Sequence, residues 1–210
     1  MVAMEATTPN SRVLALFAEL LDYPHHGLAT TARECAGLVA NESPEAAEKL
    51  TEFAAFVERT PWNTLEEVFT ATFDLNASRH PYVGYHMFGE AYKRSVFFLE
   101  LKDRYREHGF DSGMELPDHI AVMLRFMAQC PDSALTTEIV REAILPTLDP
   151  MMAAPEAEPV GPDEEAPIVF DVGDDYSRVL RALQLILLAR YGPPVELEVI
   201  PLPDQTRLVS

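Results

Sequence analysis

Glycine is scarce in this chain, 9 of 210 residues. Neither G-x-G-x-x-G nor G-x-x-x-x-G-K-[ST] occurs, so the loops that cradle nucleotide phosphates are excluded. G-x-S-x-G is absent too, which removes the usual serine nucleophile turn. Only two cysteines occur, Cys35 and Cys130. They are too few and too far apart for a disulfide framework or a thiolate metal site, and two reduced, buried thiols in a cytoplasmic protein are the expectation. Basic residues are outnumbered, 16 Lys and Arg against 34 Asp and Glu, for a formal net charge of −18. A field of that sign repels nucleic acid and anionic membrane surfaces and attracts cationic partners. The longest apolar run is six residues, Val13 to Ala18, far short of the ~20 a membrane span needs. Met1 to Ser11 carries no Lys, Arg or apolar core, so no secretory signal is expected.

What is present is apolar mass, 48% of the residues, enough for a sizeable core, together with 17 prolines. Apolar residues recur at helical spacing. Val13, Leu14, Phe17, Leu20 and Leu21 define one helix over Ser11 to Leu21, stopped by Asp22-Tyr23-Pro24. Further helices are expected over about Thr30 to Ala40 and Pro44 to Arg59, the latter with a first-turn proline. Thr64-Leu65-Glu66-Glu67 fits a capping box that opens a fourth. The longest is placed at about Glu90 to Glu107, with Tyr92, Val96 and Leu99 on its apolar face, edged by Phe98, Leu101 and Tyr105. Gly109 is positioned to end it. Pro117 and Asp118 open another, with Ile120, Met123, Leu124 and Met127 inward, and Asp132 or Ser133 caps one reaching Leu145 to Leu148.

From Met151 to Ser177 the chain holds eight acidic residues, four prolines and no Lys or Arg, the composition of a solvated linker. A last helix follows at Asp175 to Tyr191, closed by Gly192-Pro193-Pro194. The expected architecture is all-α, a single compact domain over 1–210 with about seven to nine helices. Residues 1–10 are expected to fray, 151–174 to form the acidic linker, and 193–210 to be a flexible tail, in which Val195 to Ile200 alternates like a short strand.

The chemistry-bearing residues read in two ways. Asp118-His119 is an acid/base pair or metal half-site, or else a helix-start carboxylate with a neighbouring histidine. His25, His26, His80 and His86 lie in expected loops, either scattered in solvent or gathered around a metal. Tyr82, Tyr85, Phe88, Tyr92, Phe97 and Phe98 are the densest aromatic cluster, either core or a groove for an amphipathic peptide. Tyr82 and Tyr85 favour the groove, because they share a loop with Pro81 and Gly84 and tyrosine gives contact area at low entropy cost. Glu90 and Arg94 stand at the i,i+4 spacing of a helical ion pair.

Phe73-Asp74-Leu75, Gly89-Glu90 followed by Lys93-Arg94, Tyr105 with Gly109-Phe110, and Glu115-Leu116-Pro117-Asp118-His119 appear in that order. This order resembles the signature of the NarJ-like branch of the TorD/DmsD/NarJ chaperones, redox-enzyme maturation proteins also described as nitrate reductase delta subunits. The likeness is strong over Thr72 to Met127 and weak over Leu14 to Pro24. It departs from the family between Asn76 and Tyr85, where nitrate reductase members carry an Arg-rich, Leu-containing stretch. The client implied is therefore a nitrate reductase or another molybdenum enzyme of the dimethyl sulfoxide reductase class.

What the resemblance implies is a cytoplasmic assembly chaperone without catalysis, metal or resident cofactor. Its partner would be the basic, apolar N-terminal peptide of a molybdopterin-containing catalytic subunit, and the chaperone would act as monomer or dimer. Tyr82 and Tyr85 would contact the peptide, Glu90 and Asp118 would face its basic residues, and His119 would shape the pocket. Gly89, Lys93, Arg94 and Leu116 would complete the site. A helical adaptor with an unrelated partner, and a metal-binding protein using Asp118, His119 and the loop histidines, remain the alternatives.

Overall fold

The computed structural model describes residues 9–153 and 175–195. Among the described residues ten α-helical segments run in order: α1 (Pro9–Leu20), α2 (Leu28–Val39), α3 (Pro44–Arg59), α4 (Trp62–Phe69), α5 (Val83–Phe88), α6 (Tyr92–Glu107), α7 (Ile120–Gln129), α8 (Ser133–Ile139), α9 (Leu145–Met152) and α10 (Asp175–Tyr191). A π turn, Thr70–Asp74, extends α4, and another, Val140–Ile144, joins α8 to α9 without a break. The described residues contain no strand; one isolated antiparallel bridge pairs Tyr82 with His119. The all-α expectation holds.

Local signals account for many ends. Ser43 accepts from the Ala46 N–H ahead of Pro44, and Asp132 accepts from the N–H groups of Ala134 and Leu135. Gly109 and Gly192 close α6 and α10 at φ +66° and +79°, where a side chain would be strained. The helices then bury their stripes in one cluster. Neighbours follow one another as α7, α1, α2, α3, α10 and α9, and α5 docks on α9 and carries α6. Phe53, Phe69, Phe73 and Tyr176 interlock edge to face at 5.1–5.6 Å, a geometry that adds to their area burial.

Several boundaries and faces differ from expectation. Thr64 caps nothing: α4 starts at Trp62 with Pro61 as its N-cap, and the Trp62 ring stacks on His26 at 4.3 Å. Asp118 lies outside α7, and His119 is its N-cap. Tyr85 is not in a loop but in the short helix α5. The apolar face expected on α6 is the outer one. Tyr92 and Leu99 are 83% and 64% exposed, whereas Leu101 and Tyr105 are buried. Of the two thiols, Cys35 is buried and pushed up to about 12 by desolvation, while Cys130 is half-buried.

The acidic stretch 154–174 and the tail 196–210 lie outside the described residues, as do residues 1–8. At their described edges the chain is more helical than expected: Pro9 and Asn10 belong to α1, and Met151 and Met152 to α9. Val195 donates its N–H to the Arg141 carbonyl at 3.0 Å.

Candidate functional site

The candidate residues converge where the His80–Tyr85 segment meets the start of α7. Two backbone hydrogen bonds fasten the junction, Val83 N–H to Asp118 O at 2.9 Å and Ile120 N–H to Pro81 O at 2.8 Å. They seat the Tyr82 ring 5.4 Å from the His119 ring, edge to face. Tyr85 packs at 5.5 Å on His80, whose Nδ1 meets the Phe73 carbonyl at 2.8 Å. The segment around Phe73-Asp74-Leu75 is thereby tied to the tyrosine-bearing bend.

Arg94 is the hub. Its guanidinium lies 5.4 Å from the Tyr82 ring centre, 5.8 Å from Tyr85 and 5.1 Å from Phe98, a favourable placement for a cation. Its Nε donates to Asp118 Oδ2 at 3.0 Å. The helical pair with Glu90 is not formed, because α6 begins two residues after Glu90 and Arg94 turns inward to the fully buried carboxylate. A buried anion demands a partner more strongly than an exposed one does. Burial pushes the Asp118 carboxyl above the usual range, against the lowering pull of Arg94. Asp118 Oδ1 has no hydrogen-bond partner among the described residues. Gly84 permits this packing: a Cβ there would stand 2.7 Å from Asp118 Oδ2.

His119 is 6% exposed and its Nδ1 accepts the Ala121 N–H at 3.2 Å, so the ring is held unprotonated at that nitrogen. Desolvation lowers its pKa, with Arg125 adding to this, while Glu115, Asp22 and Asp74 oppose it. The Tyr82 hydroxyl donates to Glu115 Oε1 at 3.3 Å, and its pKa rises to about 12, chiefly through desolvation and then through Glu115. Tyr105 donates to the Pro117 carbonyl at 2.7 Å, and the rings of Tyr105, Phe110 and Phe126 pack at 4.7–5.5 Å beneath that loop.

The outer residues sit differently. Gly89 closes α5 at φ +60° by donating to the Tyr85 carbonyl. Glu90 and Lys93 are exposed, Leu116 is 41% exposed, and Tyr82 and Tyr85 are half-buried. Asp118 does not face solvent and so does not present its charge there, which corrects that expectation; the carboxylates around the junction that sequence reasoning missed are Asp22, Asp74 and Glu115. Asp74 and Glu115 lay within the quoted motif, but only the fold brings Asp22 beside them, through its ion pair with Arg125 of α7. Among the described residues no group of three His, Cys, Asp or Glu side chains is placed to hold a metal ion. No helix there is long and apolar enough to cross a membrane.

Residues 39–152 match the family model for the nitrate reductase delta subunit. A Bacillus subtilis protein named as a nitrate reductase molybdenum cofactor assembly chaperone, NarJ, is 29% identical over 124 residues, 58% of this chain and 67% of that protein. A crystal structure of a redox-enzyme-maturation candidate from Archaeoglobus fulgidus superposes with a TM-score of 0.54 at 20% identity, over 89% of this chain and 98% of that one, a likeness of fold. With more than half of its length inside that model, the chain belongs to the nitrate reductase delta subunit family.

Proposed function

We propose that this protein is a cytoplasmic assembly chaperone, without catalysis of its own, for a molybdoenzyme catalytic subunit, a nitrate reductase or another enzyme of the dimethyl sulfoxide reductase class. It holds the N-terminal region of that subunit while the cofactor is inserted, working as a monomer or dimer through a single domain. The observation that carries this reading is the family match over residues 39–152, and the name of the Bacillus subtilis relative supports it. The site assigned is the exposed rim of the junction: Tyr82, Tyr85, Gly89, Glu90, Lys93 and Leu116, held in place from beneath by Arg94, Asp118 and His119.

The rim suits a peptide of basic and apolar residues. Tyr82, Tyr85 and Leu116 offer apolar contact, and Glu90, Glu115 and Asp74 supply negative charge. Apolar burial would provide most of the affinity, while the net charge of −18 would speed association at low salt. Titration calorimetry with the N-terminal peptide of the client subunit tests the assignment. Tyr85→Ala and Glu90→Lys, both at partly or fully exposed positions, should weaken binding about tenfold or more. Binding by both variants at wild-type strength would place the peptide elsewhere.

A further inference from the structure

The outer face of α6 is left uncovered by the described residues. Only Leu101 and Tyr105 of this 16-residue helix are buried, and Arg94, Phe97 and Phe98 are half-buried. Tyr92, Val96 and Leu99, at the i, i+4 and i+7 positions of one stripe, are all exposed. The other large apolar side chains in solvent stand one or two to a segment, as is normal on a surface. Three on one stripe mark a contact face. A helix holds in water mainly through what its apolar residues pack on, and α6 is packed along one side only. Its charges are unlike those of the rest of the chain. The whole carries 34 acidic and 16 basic residues, so two copies repel one another over most of their surfaces. On α6 five basic side chains stand against three acidic ones. Arg94 turns inward to Asp118, Arg104 pairs with Glu138, and Arg106 pairs with Asp103. Lys93 and Glu100 have no ion pair among the described residues. Each follows a stripe residue by one position, so both border the stripe on the same side. They cannot meet within one copy, because seven residues of helix rise hold them about 10 Å apart.

We propose that α6 packs against α6 of a second copy of this chain, antiparallel about a two-fold axis midway between Val96 and Leu99. A two-fold contact is reciprocal, so whatever one residue meets on the second copy meets it in return. Val96 of each copy lies over Leu99 of the other. Lys93 of each faces Glu100 of the other, and two identical ion pairs flank one apolar seam. Charges beside such a seam set the direction in which helices pair. Parallel alignment would place Asp103 on Asp103 and Arg106 on Arg106. Antiparallel alignment sets Tyr92 against those two residues instead, its hydroxyl within reach of the carboxylate and its ring of the guanidinium. Three apolar side chains from each copy make an interface at the low end of the size range, so the dimer is weak, with a Kd on the order of 10–100 μM. The contact goes beyond the chaperone reading.

Sedimentation velocity of the full chain from about 5 to about 500 μM, at ~0.15 M sodium chloride to screen the long-range repulsion, tests the proposal. The wild type should pass from monomer to dimer across that range. Leu99→Lys should raise the Kd about tenfold or more. Lys93→Glu and Glu100→Lys should each weaken self-association about fivefold or more, the second even though it lowers the net negative charge. Mixing the two variants in equal amounts restores both ion pairs across the seam, so their heterodimer should form with a Kd within about twofold of the wild-type value. A chain that stays monomeric at every concentration would overturn the proposal. So would a dimer indifferent to Leu99→Lys, or a mixture no tighter than either variant alone. Leu99→Lys should bind the client's N-terminal peptide at wild-type strength in calorimetry, so failure of the dimer and failure of the chaperone site are distinguishable.

Discussion

A methyl group on Gly84 would sit 2.7 Å from Asp118 Oδ2 and 3.0 Å from Phe97 Cδ1. Two effects then compete. Replacing Gly by Ala within a helix is worth up to about 1 kcal/mol, while overpacking a tight contact costs about 1–3 kcal/mol. Arg94 pins the carboxylate, so the second wins, and Gly84→Ala should lose about 1 kcal/mol, seen as a lower urea midpoint at unchanged slope. A higher midpoint would mean that Asp118 yields freely. His119 makes a pH prediction. Its folded pKa lies below the ordinary value, so the unfolded chain takes up the proton first. Its contribution is therefore fully present above about pH 6.5 and is lost as pH falls below it. The same proton removes the Nδ1 acceptor that caps α7 and places a positive charge at a helix N-terminus. His119→Asn keeps a capping acceptor without a titrating group, so its stability should fall less steeply between pH 7 and pH 5 than that of the wild type. A residual slope is expected from His86, whose pKa burial also lowers; an unchanged slope would remove His119 from the account.

Among the elements, α6 is the one whose period was legible but whose face was not. Tyr92, Val96 and Leu99 form a helical stripe as regular as Phe97, Leu101 and Tyr105. Only the tertiary structure chooses, by seating Leu101 and Tyr105 in the core and leaving the first set in solvent. The choice is measurable. Leu101→Ala should cost about 2–5 kcal/mol as a buried truncation, while Leu99→Lys should stay within about 0.5 kcal/mol as an exposed change. Comparable losses from both would contradict the packing described. The π turns are a related case. The second closes with the Leu145 N–H on the Val140 carbonyl, immediately before Pro146, which has no N–H to give. Shifting the hydrogen-bond ladder there loses little at Pro146, while Pro150 lies inside the last turn of α9, which continues to Met152 rather than stopping near Leu148. Proline counted in a sequence reads as a stop; the π shift accommodates Pro146, and Pro150 is held within the helix without one.

At the scale of the whole molecule, the charge of −18 is the dominant electrostatic fact. Surface ion pairs such as Arg12–Glu34 and Arg33–Glu58 join neighbouring helices, yet exposed pairs are each worth little. With 34 acidic side chains against 16 basic, repulsion between like charges outweighs them. Added sodium chloride should therefore raise the thermal midpoint over the range in which the screening length shrinks to ~8–10 Å. A midpoint that falls with salt would show that the ion pairs dominate.

Length, composition and apolar period by themselves determined the helical class, the stripe of α1, and the absence of phosphate-binding loops, because each depends on near neighbours along the chain. The motif from Phe73 to His119 carried the family. What those residues do was decided only in three dimensions. Asp118 read as a helix-start or ligand-facing carboxylate, yet the fold buries it ahead of α7 and hands it Arg94 from α6. Asp22 carried no signal, yet the packing of α1 against α7 brings it to His119. Burial and ion pairing join residues distant in sequence, and no local pattern records which of two equally regular helix faces will meet the core.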